Sequence, residues 1–178
     1  VCSSDLGSLQ QSFRNVVRTV PADFDTASTA IAGLNQRLGL TGQPLEAVSR
    51  RMLELSRLTE TDLSGNVQNM TRLFGDWGVQ TDQMPAVMDQ VFRATQQTGV
   101  GLDQLSAQVV QFGAPLRNLG FSFSDSVAML SQFEAQGVNT TTVMSGLRRG
   151  LAGFAAAGEE PADAFRRFVD GVQNGTLE

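Results

Sequence analysis

Helices that stop on glycine and restart on a polar cap dominate this chain. The pattern is densest between Leu102 and Leu151, where it runs three times over. Glycine after the last helical residue takes the left-handed conformation at no Cβ cost. An apolar residue just beyond it packs back on the helix it leaves. A Ser, Thr, Asn or Asp then satisfies the free N–H groups of the next helix. A chain written this way folds into short helices joined by tight reversals. No convincing period-2 run interrupts it, so the fold class expected is all-α: an array of short antiparallel helices with Gly and Pro breaks and no sheet.

Apolar stripes at helical spacing locate the elements. Leu9, Phe13, Val16, Val17 and Val20 share a face over Ser8–Val20, which Pro21 ends. Asp23 or Asp25 caps a helix carrying Ala27, Ile31, Leu34 and Leu38, closed by Gly39. After the turn at Leu40–Pro44 come Leu45, Val48, Met52 and Leu55. Thr61 or Asp62 caps Leu63, Val67, Met70, Phe74 and Trp77. Gly78-Val79 stops that helix, and Thr81 caps the one bearing Met84, Val87, Met88 and Val91. Gly99-Val100-Gly101 precedes Leu102, Leu105, Val109 and Phe112, and Gly113-Ala114-Pro115 is expected to break or kink this helix. Gly120 restarts with Ser124 as cap for Val127, Leu130 and Phe133. Gly137-Val138 restarts with Asn139 as cap for Met144, Leu147, Leu151 and Phe154. Gly158–Pro161 precedes Phe165, Phe168, Val169 and Val172. The spacing is too uneven for a tetratricopeptide or HEAT array, and a weak domain boundary is placed near 78–81.

Residues 1–6, Val1-Cys2-Ser3-Ser4-Asp5-Leu6, look foreign. Back-translated as GTG TGC TCT TCC GAT CT, they match the end of a widely used sequencing adapter, and they are set aside as an artefact. Cys2 then says nothing about redox compartment, and the chain is expected to be a fragment of a longer one.

Residue usage removes whole classes of chemistry. The chain has no His, Lys or Tyr, and its one Cys is suspect. Ser–His and Cys–His nucleophiles are therefore excluded, and zinc and copper lack their usual ligands. No calcium-loop spacing of acids is present. No catalytic, metal or cofactor residue is assigned. The paired acids Asp23/Asp25 and Glu159/Glu160 precede helices, where capping accounts for them better than acid–base catalysis. A net charge of −5 calls for neither nucleic acid nor an anionic membrane. Gly146 and Gly150 match the small-residue spacing of membrane helix pairs, but Val143–Ala157 is too short to span, with Arg148 and Arg149 in its middle. Close helix–helix approach in a packed core is expected there instead. The Arg50-Arg51, Arg148-Arg149 and Arg166-Arg167 pairs are read as flanking solvated faces, and the methionines 52, 70, 84, 88, 129 and 144 as core filling.

The order of these pieces carries a resemblance. Thr98-Gly99 with Leu102-Asp103-Gln104-Leu105, Leu119-Gly120 with Ser124 and Ala128, and Gly137-Val138 through Leu147, Arg148 and Leu151 resemble the core region of phage tail tape-measure proteins. Phe154–Gly158 with Pro161 and Ala164-Phe165 is similar to that family as well. The likeness runs from Leu34 to Asn174, leaving 7–33 as an N-terminal helical segment and 34–178 as the core-like region. The chain departs from the family pattern in its Arg-for-Lys usage and in Gly146 and Gly150, where Ala or Ser is typical. The resemblance implies a structural, non-enzymatic virion protein that takes part in tail assembly, length determination and genome ejection. It implies the tail tube protein, tail assembly chaperones and baseplate or tail-tip proteins as partners, with self-association. It places the chain in the tail lumen, and in the host cytoplasm during assembly. The helix-break residues it singles out are Gly99, Leu102, Gly120, Gly137, Val138, Leu147, Arg148 and Leu151. The rival reading is a cellular helical interaction module with no virion role.

Overall fold

The computed structural model describes residues 3–160 together with Asp163, Ala164 and Arg167. Eight α-helices are found among them: α1 (Ser3–Val17), α2 (Phe24–Leu38), α3 (Gly42–Thr59), α4 (Leu63–Trp77), α5 (Met84–Thr98), α6 (Leu102–Asn118), α7 (Phe123–Ala135) and α8 (Thr140–Ala156). One 3-10 turn, Thr81–Gln83, leads into α5, and no strand occurs among the described residues. The all-α expectation is what the structure shows. The expected stripe of Phe165, Phe168, Val169 and Val172 lies outside the described residues.

Glycine stops act where the sequence places them. Gly39, Gly78, Gly99, Gly120, Gly137 and Gly158 all have φ between 62° and 82°. After four of these glycines, the next N–H reaches back to the carbonyl five residues earlier. Val79 bonds to Phe74, Phe121 to Leu116, Val138 to Phe133 and Glu159 to Phe154, at 2.8–3.1 Å. These are Schellman closures, and they satisfy carbonyls the helix leaves free. Glu60 does the same work without being glycine: its φ is 53°, and the following Thr61 N–H bonds to the Ser56 carbonyl at 3.2 Å. A Cβ in that conformation is strained. Glu60→Gly is therefore expected to raise stability by roughly 1 kcal/mol, read from thermal melts. A loss instead would mean that the exposed Glu60 side chain supports the turn.

Three local expectations are corrected. The break at Gly113-Ala114-Pro115 does not occur, and α6 runs through to Asn118. Pro115 lies in its last turn, so only the bond to the Gln111 carbonyl is forgone and the helix has three residues left to run. The cap of α7 is Ser122, not Ser124. Ser122 Oγ accepts the Asp125 N–H at 3.1 Å while Asp125 Oδ2 accepts the Ser122 N–H at 3.3 Å, a reciprocal capping box that Ser124 lacks. Thr81 begins the 3-10 turn and does not cap α5.

The helices pack in two rows. The even helices α2, α4 and α6 lie side by side, as do the odd helices α1, α3, α5 and α7, and sequential helices pack between the rows except at α4 and α5, which the 3-10 turn separates. The alternation is that of stacked helical arrays, reached here without a fixed repeat length. One apolar cluster runs through the rows from Val16 to Met144 and includes residues on both sides of Gly78–Thr81. Two glycines set the even row. A Cβ at Gly33 would come within 3.0 Å of Val67 Cγ1, and a Cβ at Gly113 within 2.7 Å of Trp77 Nε1. They allow α2 to approach α4, and the Trp77 indole of α4 to lie against α6.

Candidate functional site

The residues singled out from the sequence mark the ends and starts of helices α5 to α8. Gly99 closes α5 at φ 74°, and Leu102 is the fully buried first residue of α6. Gly120 and Gly137 hold φ 82° and 67° at the exits of α6 and α7. Val138 is half-buried, its N–H bonded to Phe133. Leu147 packs, half-buried, on the core, while Arg148 is exposed. Leu151 belongs to α8, and its side chain lies outside the described residues. These positions are spread along the chain and do not converge on one another. Of them, Gly99, Gly120 and Gly137 hold left-handed turns of the backbone.

Beside Gly137 and Val138 lies a polar centre, Glu134, that nothing in the sequence marks. Its carboxylate accepts the side-chain amides of Gln104 and Gln108 from α6, and the Thr140 hydroxyl at 3.1 Å from the first residue of α8. Asn139 caps α8 as expected, its Oδ1 accepting the Thr142 N–H at 2.9 Å. Glu134 was not legible because its partners come from two other helices. Nothing in its own neighbourhood of sequence distinguishes it from a solvated acid.

The expected close approach at Gly146 and Gly150 is not found. A Cβ at Gly146, Gly150 or Gly153 would meet nothing within 4 Å. The glycines tight against another helix are Gly33 and Gly113, whereas Gly65 and Gly101 crowd only nearby aspartates, and α8 presents its small-residue face to solvent.

The charged groups are structural. Asp23 caps α2, and its hydrogen bonds from the Thr26 N–H at 2.8 Å and the Thr26 hydroxyl at 2.7 Å hold its pKa below the ordinary 3.8. Asp25 sits in the same first turn. Glu159 pairs with Arg167, and the Glu160 carbonyl accepts the N–H groups of Asp163 and Ala164. Arg148 and Arg149 are exposed, and Arg166 lies outside the described residues. Arg51 departs from the solvated reading: it bridges α3 to α5, donating to Asp89 and also to Glu54 at 3.0 Å. Burial pulls its pKa down, but the bonds to Asp89 and Glu54 outweigh that and hold it above its usual value. The methionines 52, 70, 84, 88 and 144 are buried and Met129 packs against them, in keeping with core filling.

A groove of about 720 Å³ runs between α5 and α7. Gln83, Gln90 and Gln97 line one wall, Ser124, Ser131 and Gln132 the other. Arg93 is the one ionisable group in this lining, so the groove offers no facing pair of acids or bases. No cluster of potential metal ligands occurs among the described residues, and no described helix is long and apolar enough to cross a membrane.

A family model described as phage-related minor tail protein matches residues 10–177. No curated protein and no solved structure matches the chain.

Proposed function

The chain belongs to the phage-related minor tail protein family, and from that premise we propose that it is a segment of a tail tape-measure protein. In this reading it takes part in tail assembly, in setting tail length and in genome ejection. Its partners are the tail tube protein, the assembly chaperones and the baseplate or tail-tip proteins, with self-association, in the tail lumen and, before that, the host cytoplasm. The division into 7–33 and a core region 34–178 belongs to the same proposal, as does the helix-break role of Gly99 to Leu151.

The observation that carries the reading is the match over residues 10–177. The all-helical architecture supports it, because a helix rises a fixed 1.5 Å per residue and chain length then converts to distance. The many left-handed stops make this segment a packed module as it stands. Its part in a ruler requires a change to an extended form inside the tail. In-frame removal of Met84–Asn118 from the phage gene, with tails measured by electron microscopy, tests this. Tails shorter by about 50 Å are expected if the segment is extended helix in the virion. Tails of unchanged length would exclude a measuring role for it and leave the folded-module role alone.

A further inference from the structure

The row of even helices stops one member short. After α2, α4 and α6, the next even helix is α8, yet α8 packs chiefly on α7 and does not extend the row beside α6. Only Thr140 and Met144 are buried among its described residues, both near its start, with Val143, Leu147 and Phe154 half-buried. From Ser145 onward the other described positions are exposed, and the faces of Gly146, Gly150 and Gly153 touch nothing. Among the described hydrogen bonds, one side chain of α7 joins α8 to α6. Glu134 gathers Gln104 and Gln108 on one side and Thr140 on the other. Gln108 Oε1 is buried without a partner, so that amide is oriented by Glu134 alone. Between Glu134 and Thr140 stands Gly137, at φ 67°.

We infer that the Glu134 carboxylate is a latch: it fixes α8 to the bundle, and when its bonds are lost α8 moves as a unit about Gly137 while α1–α7 stay folded. The physical basis is the asymmetry of the two attachments. The bonds to Glu134 are charge-assisted, and those from Gln108 and Thr140 are partly shielded from water. Among its described residues, the one fully buried apolar side chain of α8 is Met144, in its first turns. Elements held by few buried contacts are the ones that open below the threshold for global unfolding. The latch is a property of the fold and stands or falls independently of any role in tail length.

Hydrogen–deuterium exchange on the full chain tests it. In wild type and in Glu134→Ala, exchange is followed over α8 and over α2–α4. Exchange in α8 is expected to rise at least tenfold in Glu134→Ala, with that of α2–α4 unchanged. Thr140→Val, which removes only the α8-side donor and keeps side-chain volume, is expected to act in the same direction. It replaces Glu134→Ala as the test if that variant does not fold. Unchanged exchange in α8, or a parallel rise in α8 and α2–α4, would overturn the inference.

Discussion

Phe74→Ala is expected to destabilise the fold by about 3–5 kcal/mol, the range for truncating a buried aromatic where the cavity cannot collapse. Phe74 is 1% exposed and lies on α4, the middle helix of the even row. Its neighbours in the core include Met70 and Leu73 on its own helix, both fully buried. Its carbonyl also receives the Val79 N–H at 2.8 Å in the turn that ends α4. Truncation therefore opens a cavity in the apolar core along α4, the helix that contacts both α2 and α6. Urea unfolding measures the effect. A loss below about 1 kcal/mol would mean that α4 is not the centre of the core, since surface changes have effects of that size.

Gly113→Ala is expected to lower stability by about 1–2 kcal/mol, although alanine is the better helix former by about 1 kcal/mol. The new methyl would lie 2.7 Å from Trp77 Nε1, 3.1 Å from Cε2 and 3.3 Å from Cζ2. Those atoms belong to one rigid ring, which also packs edge to face with Phe123 at 5.4 Å and 81°. The ring cannot turn aside as a flexible chain end would. The whole contact must open, and overpacking outweighs propensity. Gly150→Ala is the control: it sits in a helix, meets nothing within 4 Å and should gain stability. Trp77→Ala removes the three crowded atoms with the rest of the ring. The double variant with Gly113→Ala should therefore lose less than the sum of the single changes. Additive losses would show that the indole does not lie on Gly113.

The helix ends were legible because they are local. Gly39, Gly78, Gly99, Gly120 and Gly137, each with an apolar residue after it, close within six residues through hydrogen bonds that depend on no other part of the chain. Asp23, Asp62 and Asn139 were readable as caps on the same ground, since each accepts an N–H three residues on. Ser124 was mistaken for a cap because two serines flank Phe123, and only the reach of Asp125 back to Ser122 separates them. Glu60 gave no sign at all, since its left-handed backbone is imposed by the buried Asn66 bonding to Ser56 and Thr61 across the turn.

The amino-acid sequence by itself determined the class of fold, the places where helices stop and the absence of His, Lys and Tyr from any chemistry. Only the tertiary structure decided which glycines are tight, which arginine bridges helices and where the polar centre lies. Gly113 reads as a helix breaker until Trp77 is placed on it, and Gly146 and Gly150 read as a packing face until their surroundings prove empty. The physical reason is range. A turn is fixed by the dihedral freedom and hydrogen bonds of a few consecutive residues. The rows join helices two apart in the chain, and no neighbouring residue records what a side chain will meet there.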